Sequence, residues 1–295
     1  MTKAVGKKYS LRAKLRFSIQ LAAALIQNAN FKGFFTGKIY QGATKNVCVP
    51  GLNCYSCPGA IGACPLGSLQ NFLGSRTFKL PYYVLGLIVF FGAVLGRAVC
   101  GFLCPFGFIQ ELIHKIPFPK KRLRTFKGDK QLRYLKYLIL AVFVIILPVI
   151  IKNTPAFCKY ICPAGTLEGG IPIVLLHGKK YAMKIGTLFD IKFAILIVTL
   201  IACLVIYRPF CRYICPLGAV YGLMNNVSLY RLSIDSAKCI GCGACSDTCP
   251  MAADPLRDPN SPECIRCGKC ADVCPGEAIH IGFGPEKKVN TSEKT

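Results

Sequence analysis

Acidic residues are scarce in this chain. Thirteen Asp and Glu stand against 37 Lys and Arg, giving a formal net charge of +24 over 295 residues. Histidine is scarcer still, at three. His114 and His177 fall towards opposite faces of any membrane arrangement of the apolar runs. They cannot supply two axial ligands at one depth, so no haem is expected; His280 reads as a surface residue. The chain has no phosphate-binding Gly-rich loop, no Ser/His/Asp set and no paired catalytic carboxylates. Charged residues of both signs make up only 17% of the chain and hydrophobic ones 53%. That apolar share exceeds the ~45–50% of ordinary soluble proteins. In a soluble protein such a positive charge would point to nucleic acid. Here the basic residues cluster beside apolar runs, as in loops facing a cytoplasm, and no nucleic-acid partner is expected. No cleavable signal peptide is expected either. The basic segment Met1–Arg16 leads into Phe17–Ile26 and then Gln27, Asn28 and Asn30, without a small-residue cleavage pattern.

What is abundant is cysteine, with 19. A disulfide scaffold is normally small and less hydrophobic. Cysteines at x2 and x3 spacing followed by proline read as metal ligands instead. The kernel Cys-x3-Cys-Pro-x-Gly occurs at Cys100/Cys104, Cys158/Cys162 and Cys211/Cys215, and a degenerate copy runs Cys64-Pro-Leu-Gly67. Positions i and i+4 share a helix face, so each pair points two sulfurs one way. The proline ends that helix and opens the next, because it is tolerated at the first helical position.

The apolar runs set the architecture. Leu80–Val99, Leu132–Ile151 and Leu188–Tyr207 read as membrane spans. Phe17–Phe35, punctured by Gln20, Gln27, Asn28, Asn30 and Lys32, reads either as a first span packed against other helices or as an interfacial helix. The expectation is an all-α integral membrane protein of about four spans, with a short helix after each Cys-Pro motif, plus a small C-terminal α+β ferredoxin-like domain. The divisions are 1–16 (basic cytoplasmic N-terminus), 17–231 (membrane domain), 232–284 (ferredoxin domain) and 285–295 (polar tail). The loop Lys115–Lys136 is the most basic and holds one acid, Asp129. Placed in the cytoplasm, it puts Cys100, Cys104, Cys211, Cys215 and the C-terminal domain inside, and Cys48, Cys54, Cys57, Cys64, Cys158 and Cys162 outside. The order span, outer cysteines, span, inner cysteines occurs twice, an internal repeat of the kind brought together around a pseudo-two-fold axis.

The C-terminal cysteines run Cys239-x2-Cys242-x2-Cys245-x3-Cys249-Pro and Cys264-x2-Cys267-x2-Cys270-x3-Cys274-Pro. This is the bacterial two-cluster spacing, in which the fourth cysteine of each run serves the other cluster. Cys239, Cys242, Cys245 and Cys274 should hold one [4Fe-4S] cluster, and Cys264, Cys267, Cys270 and Cys249 the second. Gly241, Gly243 and Gly268 let backbone N–H groups approach the sulfurs. A structural zinc site is the competing reading, and doubled four-cysteine spacing speaks against it. In the membrane half, Cys100, Cys104, Cys211 and Cys215 suit an inner cluster. Cys158 and Cys162 with Cys57 and Cys64 suit an outer one, leaving Cys48 and Cys54 as a disulfide or as competing ligands. Buried structural thiols or a thiol–disulfide relay are the alternatives. Cys203 reads as a small buried hydrophobe.

Residues 233–283 resemble a two-cluster bacterial ferredoxin, and residues 11–283 resemble the membrane-bound polyferredoxins of the NapH and NosR type. The resemblance rests on Cys100/Cys104-Pro105, Cys158/Cys162-Pro163, Cys211/Cys215-Pro216 and the eight C-terminal cysteines. It implies electron transfer in the cell membrane between a cytoplasmic or quinone pool and an extracytoplasmic redox partner, such as a flavoprotein. The chain lacks the extracytoplasmic flavin domain of NosR. The Gly-Ala-Thr44 stretch resembles a covalent-flavin site, but without that domain FMN on Thr44 is not expected. Arg266 and Lys269 are candidates for meeting an acidic cytoplasmic ferredoxin. Arg76, Arg97, Arg208 and Arg212 suit either cluster charge or lipid head groups. A metal-ion (cupric or ferric) reductase and an Fe–S assembly or sensor protein are the competing functions.

Overall fold

The computed structural model describes residues 2–75, 81–117, 122–152, 154–177 and 186–284, with side chains from Leu11 onward. Arg76, Lys120, Lys121, the His177 side chain and the polar tail lie outside the described residues, as do the side chains of Lys3, Lys7 and Lys8.

The basic N-terminal segment and the first apolar run form one helix, α1 (Thr2–Gln27). The polar residues that puncture it are its anchors. Gln20 Nε2 donates to Gly101 O at 2.8 Å and Gln27 Nε2 to Leu103 O at 2.8 Å. The helix stops where Asn28 Nδ2 folds back onto Ala24 O at 3.0 Å. A short helix, α2 (Phe31–Thr36), follows. A Cβ on Gly33 would lie 2.0 Å from Pro58 O, so only glycine lets α2 approach the cysteine loop this closely.

Each Cys-Pro motif opens a helix at its proline: α3 (Pro65–Leu73), α6 (Pro105–Lys115), α9 (Pro163–Leu176) and α11 (Pro216–Leu223). The first cysteine of each full motif sits in a short turn: Cys100 in α5 (Ala98–Phe102), Cys158 in α8 (Ala156–Tyr160) and Cys211 in a π-helical turn over Phe210–Ile214. Two helices among the described residues are long and apolar enough to cross a membrane, α7 (Asp129–Ile150) and α10 (Thr187–Val205). Within α7 the stretch Leu140–Ile146 widens to π geometry. Pro148, one turn later, has no N–H to give to that turn.

The expected span at Leu80–Val99 is shorter than its apolar run. α4 covers Tyr82–Leu95, 14 residues, and the chain breaks at Gly96 with φ +56°. At ~1.5 Å per residue the helix reaches about 21 Å, against a hydrocarbon core of ~30 Å. The break is built in: Asn225 Oδ1 accepts from Arg97 N at 2.8 Å, immediately after the glycine.

The C-terminal part carries two antiparallel strands, β1 (Tyr230–Ile234) and β2 (Ile279–Phe283), paired Leu232 to Ile281, with helical turns α12 (Ala244–Thr248) and α13 (Lys269–Asp272) between them. Leu232, Cys245, Cys270 and Ile279 form its core. This part is docked against the membrane half rather than tethered. Glu263 takes Arg97 Nη1 at 2.8 Å and also pairs with Lys136, all three buried. Asn225 Nδ2 donates to Ser261 O and Cys264 O at 2.8 and 2.9 Å.

Candidate iron–sulfur sites

All nineteen cysteines are free thiols in the structure, Cys48 and Cys54 included. In the C-terminal part the crossed sets lie together. One small cavity is lined by Cys239, Cys242, Cys245 and Cys274, and a second by Cys249, Cys264, Cys267 and Cys270. Gly241, Gly243 and Gly268 adopt φ of +69°, +73° and +83° around these cavities. That left-handed geometry turns the chain around a central group at little cost only for glycine.

In the membrane half, the Cys-Pro-x-Gly kernel has one local geometry. The cysteine caps the helix that its proline opens, and its sulfur accepts from the glycine N–H. The distance is 3.4 Å for Gly107 to Cys104, for Gly165 to Cys162 and for Gly218 to Cys215. The two inner motifs then cross. Arg97 precedes Cys100 by three residues, and its Nη2 donates to Cys211 O at 2.6 Å. Arg208 precedes Cys211 by three residues, and its Nη1 donates to Cys100 O. This reciprocity is what a pseudo-two-fold axis between the halves produces. It gathers Cys100, Cys104, Cys211 and Cys215: burial pushes the Cys215 thiol up, and its other three thiol neighbours push it further.

Charge around the inner thiols is organised. Arg16, Arg97, Lys136, Arg208 and Arg212 are buried, against three buried carboxylates, Glu111, Asp129 and Glu263. Arg208 pairs with Glu111 at 2.8 Å, and Arg16 also pairs with Glu111. Burial alone would raise the Glu111 carboxyl, but Arg208 and Arg16 outweigh it and hold it down at about 2. The remaining positive excess suits a site that receives anionic thiolates. Arg97 and Arg208 also keep a buried Nε–H without a partner among the described residues. The head-group reading of these arginines is therefore replaced: Arg97, Arg208 and Arg212 are fully buried.

The outer thiols line a larger cavity, of about 650 Å³, that includes Cys54, Cys64, Cys158 and Cys162. The expected partner Cys57 is not on that wall. Its thiol turns to Asn28 Oδ1 at 3.6 Å, while Cys54 lies on the wall, 3.6 Å from where a Cβ on Gly165 would stand. Cys48 faces Ser68 Oγ at 3.5 Å. Burial pushes Cys54 and Cys158 up to about 12, each also feeling Cys64. Glu168 accepts from Cys54 N at 2.7 Å, an acid that sequence reasoning passed over.

Segments that carry neighbouring thiol sets touch one another. A Cβ on Gly101 would meet Ile265 O at 2.5 Å, which sets Cys100 against the segment of Cys264. Tyr207, Met251 and Ile265 pack there with Cys249 and Cys267. On the other side, Gly51 lies against Cys104, while its neighbours Leu52 and Asn53 line the outer cavity. Tyr221, fully buried, donates to Pro50 O at 2.9 Å.

No three His, Cys, Asp or Glu among the described residues are close enough to share one metal ion. A cubane distributes its thiolates over separate irons, so its donor set is this looser, four-cornered kind. The pairing of four thiols per site and the N–H groups on the sulfurs fit such a group.

The comparisons with known proteins fall on the same residues. A 4Fe-4S binding domain model matches residues 80–125, 135–171 and 193–233, and a 4Fe-4S dicluster domain model matches residues 231–275. An uncharacterized protein of Methanocaldococcus jannaschii is 30% identical over 64% of this chain and 73% of its own length. The ferredoxin-type protein NapH of Haemophilus influenzae is 30% identical over 59% of this chain and 54% of its own. The chain belongs to the NapH-type polyferredoxins. The methylamine utilization ferredoxin-type protein MauN of Paracoccus denitrificans is also similar, at 30% identity over 62% of this polyferredoxin and 59% of MauN. The polyferredoxin thus spans between half and three fifths of NapH and MauN. No solved structure matches it. Both matched domain models are 4Fe-4S domains, and both named relatives are ferredoxin-type proteins.

Two expectations about the remaining residues change. Arg266 is not an exposed docking residue. It is 1% exposed, and its guanidinium donates to Asn225 O at 2.8 Å and to Leu95 O at 3.2 Å. Lys269 lies over the Tyr207 ring at 5.3 Å, at the same internal seam. His114 Nδ1 is bonded to Cys203 O at 2.8 Å, and His280 is exposed.

Proposed function

We propose that this chain carries electrons across the cell membrane through four [4Fe-4S] sites. The order is the Cys239/Cys242/Cys245/Cys274 site, the Cys249/Cys264/Cys267/Cys270 site, the inner Cys100/Cys104/Cys211/Cys215 site and the outer Cys54/Cys64/Cys158/Cys162 site. The basic loop Lys115–Lys136 faces the cytoplasm together with the C-terminal part, α7 and α10 cross the membrane, and α1 and the shorter α4, which enters the hydrocarbon core only part-way, pack in the same bundle. The observation that carries this reading is the reciprocal hold of Arg97 on Cys211 and Arg208 on Cys100, which joins thiols more than a hundred residues apart. A hydrocarbon core of ~30 Å is too wide for one electron step, and closely spaced sites divide it. A cytoplasmic carrier meets the exposed Cys242 end, and a redox partner outside meets the outer cavity.

The test is electron flow in sealed liposomes with dithionite outside and ferricyanide trapped inside. The wild-type protein should reduce the trapped ferricyanide, and Cys211→Ser should slow it at least tenfold. Equal rates in the two would refute the route.

The size of the outer cavity favours a second reading, in which the outer thiols bind a metal ion and an electron delivered from the cytoplasmic carrier through the other sites reduces it. Cupric ion then competes with the cluster for Cys54 and Cys158. Copper binding at one equivalent to the iron-loaded protein would support that reading.

A further inference from the structure

The two membrane sites share a residue that the Cys-x3-Cys-Pro spacing does not announce. Six positions after Cys64 stands Gln70, and six after Cys104 stands Gln110. Both are fully buried. Each reaches across to the other half of its own site. Gln110 Nε2 lies 3.2 Å from Cys211 Sγ, and Gln70 Nε2 lies 3.4 Å from Cys158 Sγ. Their orientation is fixed at both ends. The carbonyl of Gln110 accepts from Phe210 N at 3.2 Å and that of Gln70 from Phe157 N at 2.9 Å. Each amide nitrogen also donates back to its own helix, to Phe106 O at 3.4 Å and to Leu66 O at 3.2 Å. The receiving segments match as well, Phe157-Cys-Lys-Tyr-Ile-Cys162 and Phe210-Cys-Arg-Tyr-Ile-Cys215.

We propose that Gln70 and Gln110 are positioning residues that set the reduction potentials of the outer and inner sites, each by donating one N–H to a ligand sulfur. The inference rests on the cluster assignment above and adds to it. An N–H aimed at a thiolate is worth more when the site gains an electron and becomes more anionic, so it raises the potential. The amide is held by the Phe N–H whether the site is oxidised or reduced, so no reorganisation accompanies the electron. At the sixth position of the other two motifs stand Glu168 and Tyr221, so each site receives one such amide. A neutral donor common to both sites shifts them in parallel. It leaves any potential difference between them to the charged residues around each, which at the outer thiols include Glu168 and Lys192.

The experiment is an anaerobic redox titration of the purified, iron-loaded full chain, followed by electron paramagnetic resonance. Signals are assigned with Cys211→Ser and Cys158→Ser. Gln110→Met and Gln110→Leu both remove the donor without adding a charge, the first at similar length and the second with a branched side chain. Gln70→Met and Gln70→Leu do the same for the outer site. The expected result is about a tenfold weaker tendency to be reduced, about 59 mV for one electron, at the site facing the substituted glutamine and no shift at the other. Iron content should stay at the wild-type value. An unchanged potential at full iron content would overturn the proposal, as would loss of that site's iron from both variants of one glutamine. The iron content of the wild-type protein separately reports whether the membrane sites are clusters at all.

Discussion

Cys54 and Cys57 show how finely the outer site is chosen. Both are near the right loop, and Cys57 is nearer to the Cys64 motif in sequence. The fold turns Cys57 to Asn28 and brings Cys54 to the cavity wall. Cys54→Ser should therefore lose about one cluster's four irons, and Cys57→Ser should lose none, by iron assay of anaerobic preparations. The inner cations make a second residue-scale prediction. The Glu111 carboxyl lies below its ordinary value of 4.5, at about 2, under Arg208 and Arg16. A depressed carboxylate contributes stability above its unfolded value, and that contribution is lost as pH falls from about 4.5 to about 2. The difference is on the order of 3 kcal/mol. Glu111→Gln should lower the thermal midpoint at pH 7 and remove that acid-dependent loss, measured by circular dichroism in detergent.

At the scale of elements, the Cys-Pro helices were legible because proline and glycine punctuate them in every copy. α4 was legible as an apolar run but not in its length, because the break at Gly96 depends on Asn225 from a distant element. Gln70 and Gln110 repeat at a fixed offset from Cys-Pro, so that signal was in the sequence. Its meaning needed the fold, since each amide serves a cysteine from another motif. The arginine exchange was hidden for the same reason: Arg97 and Cys211 have no sequence relation except through the repeat. Docking of the C-terminal part depends on Glu263 between Arg97 and Lys136. Glu263→Gln leaves two buried cations poorly compensated and should cost about 3 to 5 kcal/mol. Limited proteolysis should then release the segment after Tyr230 faster than in the wild type. Unchanged cleavage would mean the seam is held without the Glu263 pairs, by the Asn225 and Arg266 hydrogen bonds and apolar packing.

For the whole molecule, spacing alone gave the crossed C-terminal sets, and the structure brings those same cysteines to two cavities. The membrane half was harder to read, because its cysteines come from four separate segments that meet only in the fold. There Ile265 stands against Gly101 on one side, and Gly51 against Cys104 on the other. The central claim is that the membrane half carries two clusters of its own. The most direct test is iron and acid-labile sulfide per chain in anaerobically purified, fully reconstituted protein. About sixteen of each per chain is the predicted result, and about eight, with both C-terminal sites loaded, would contradict it.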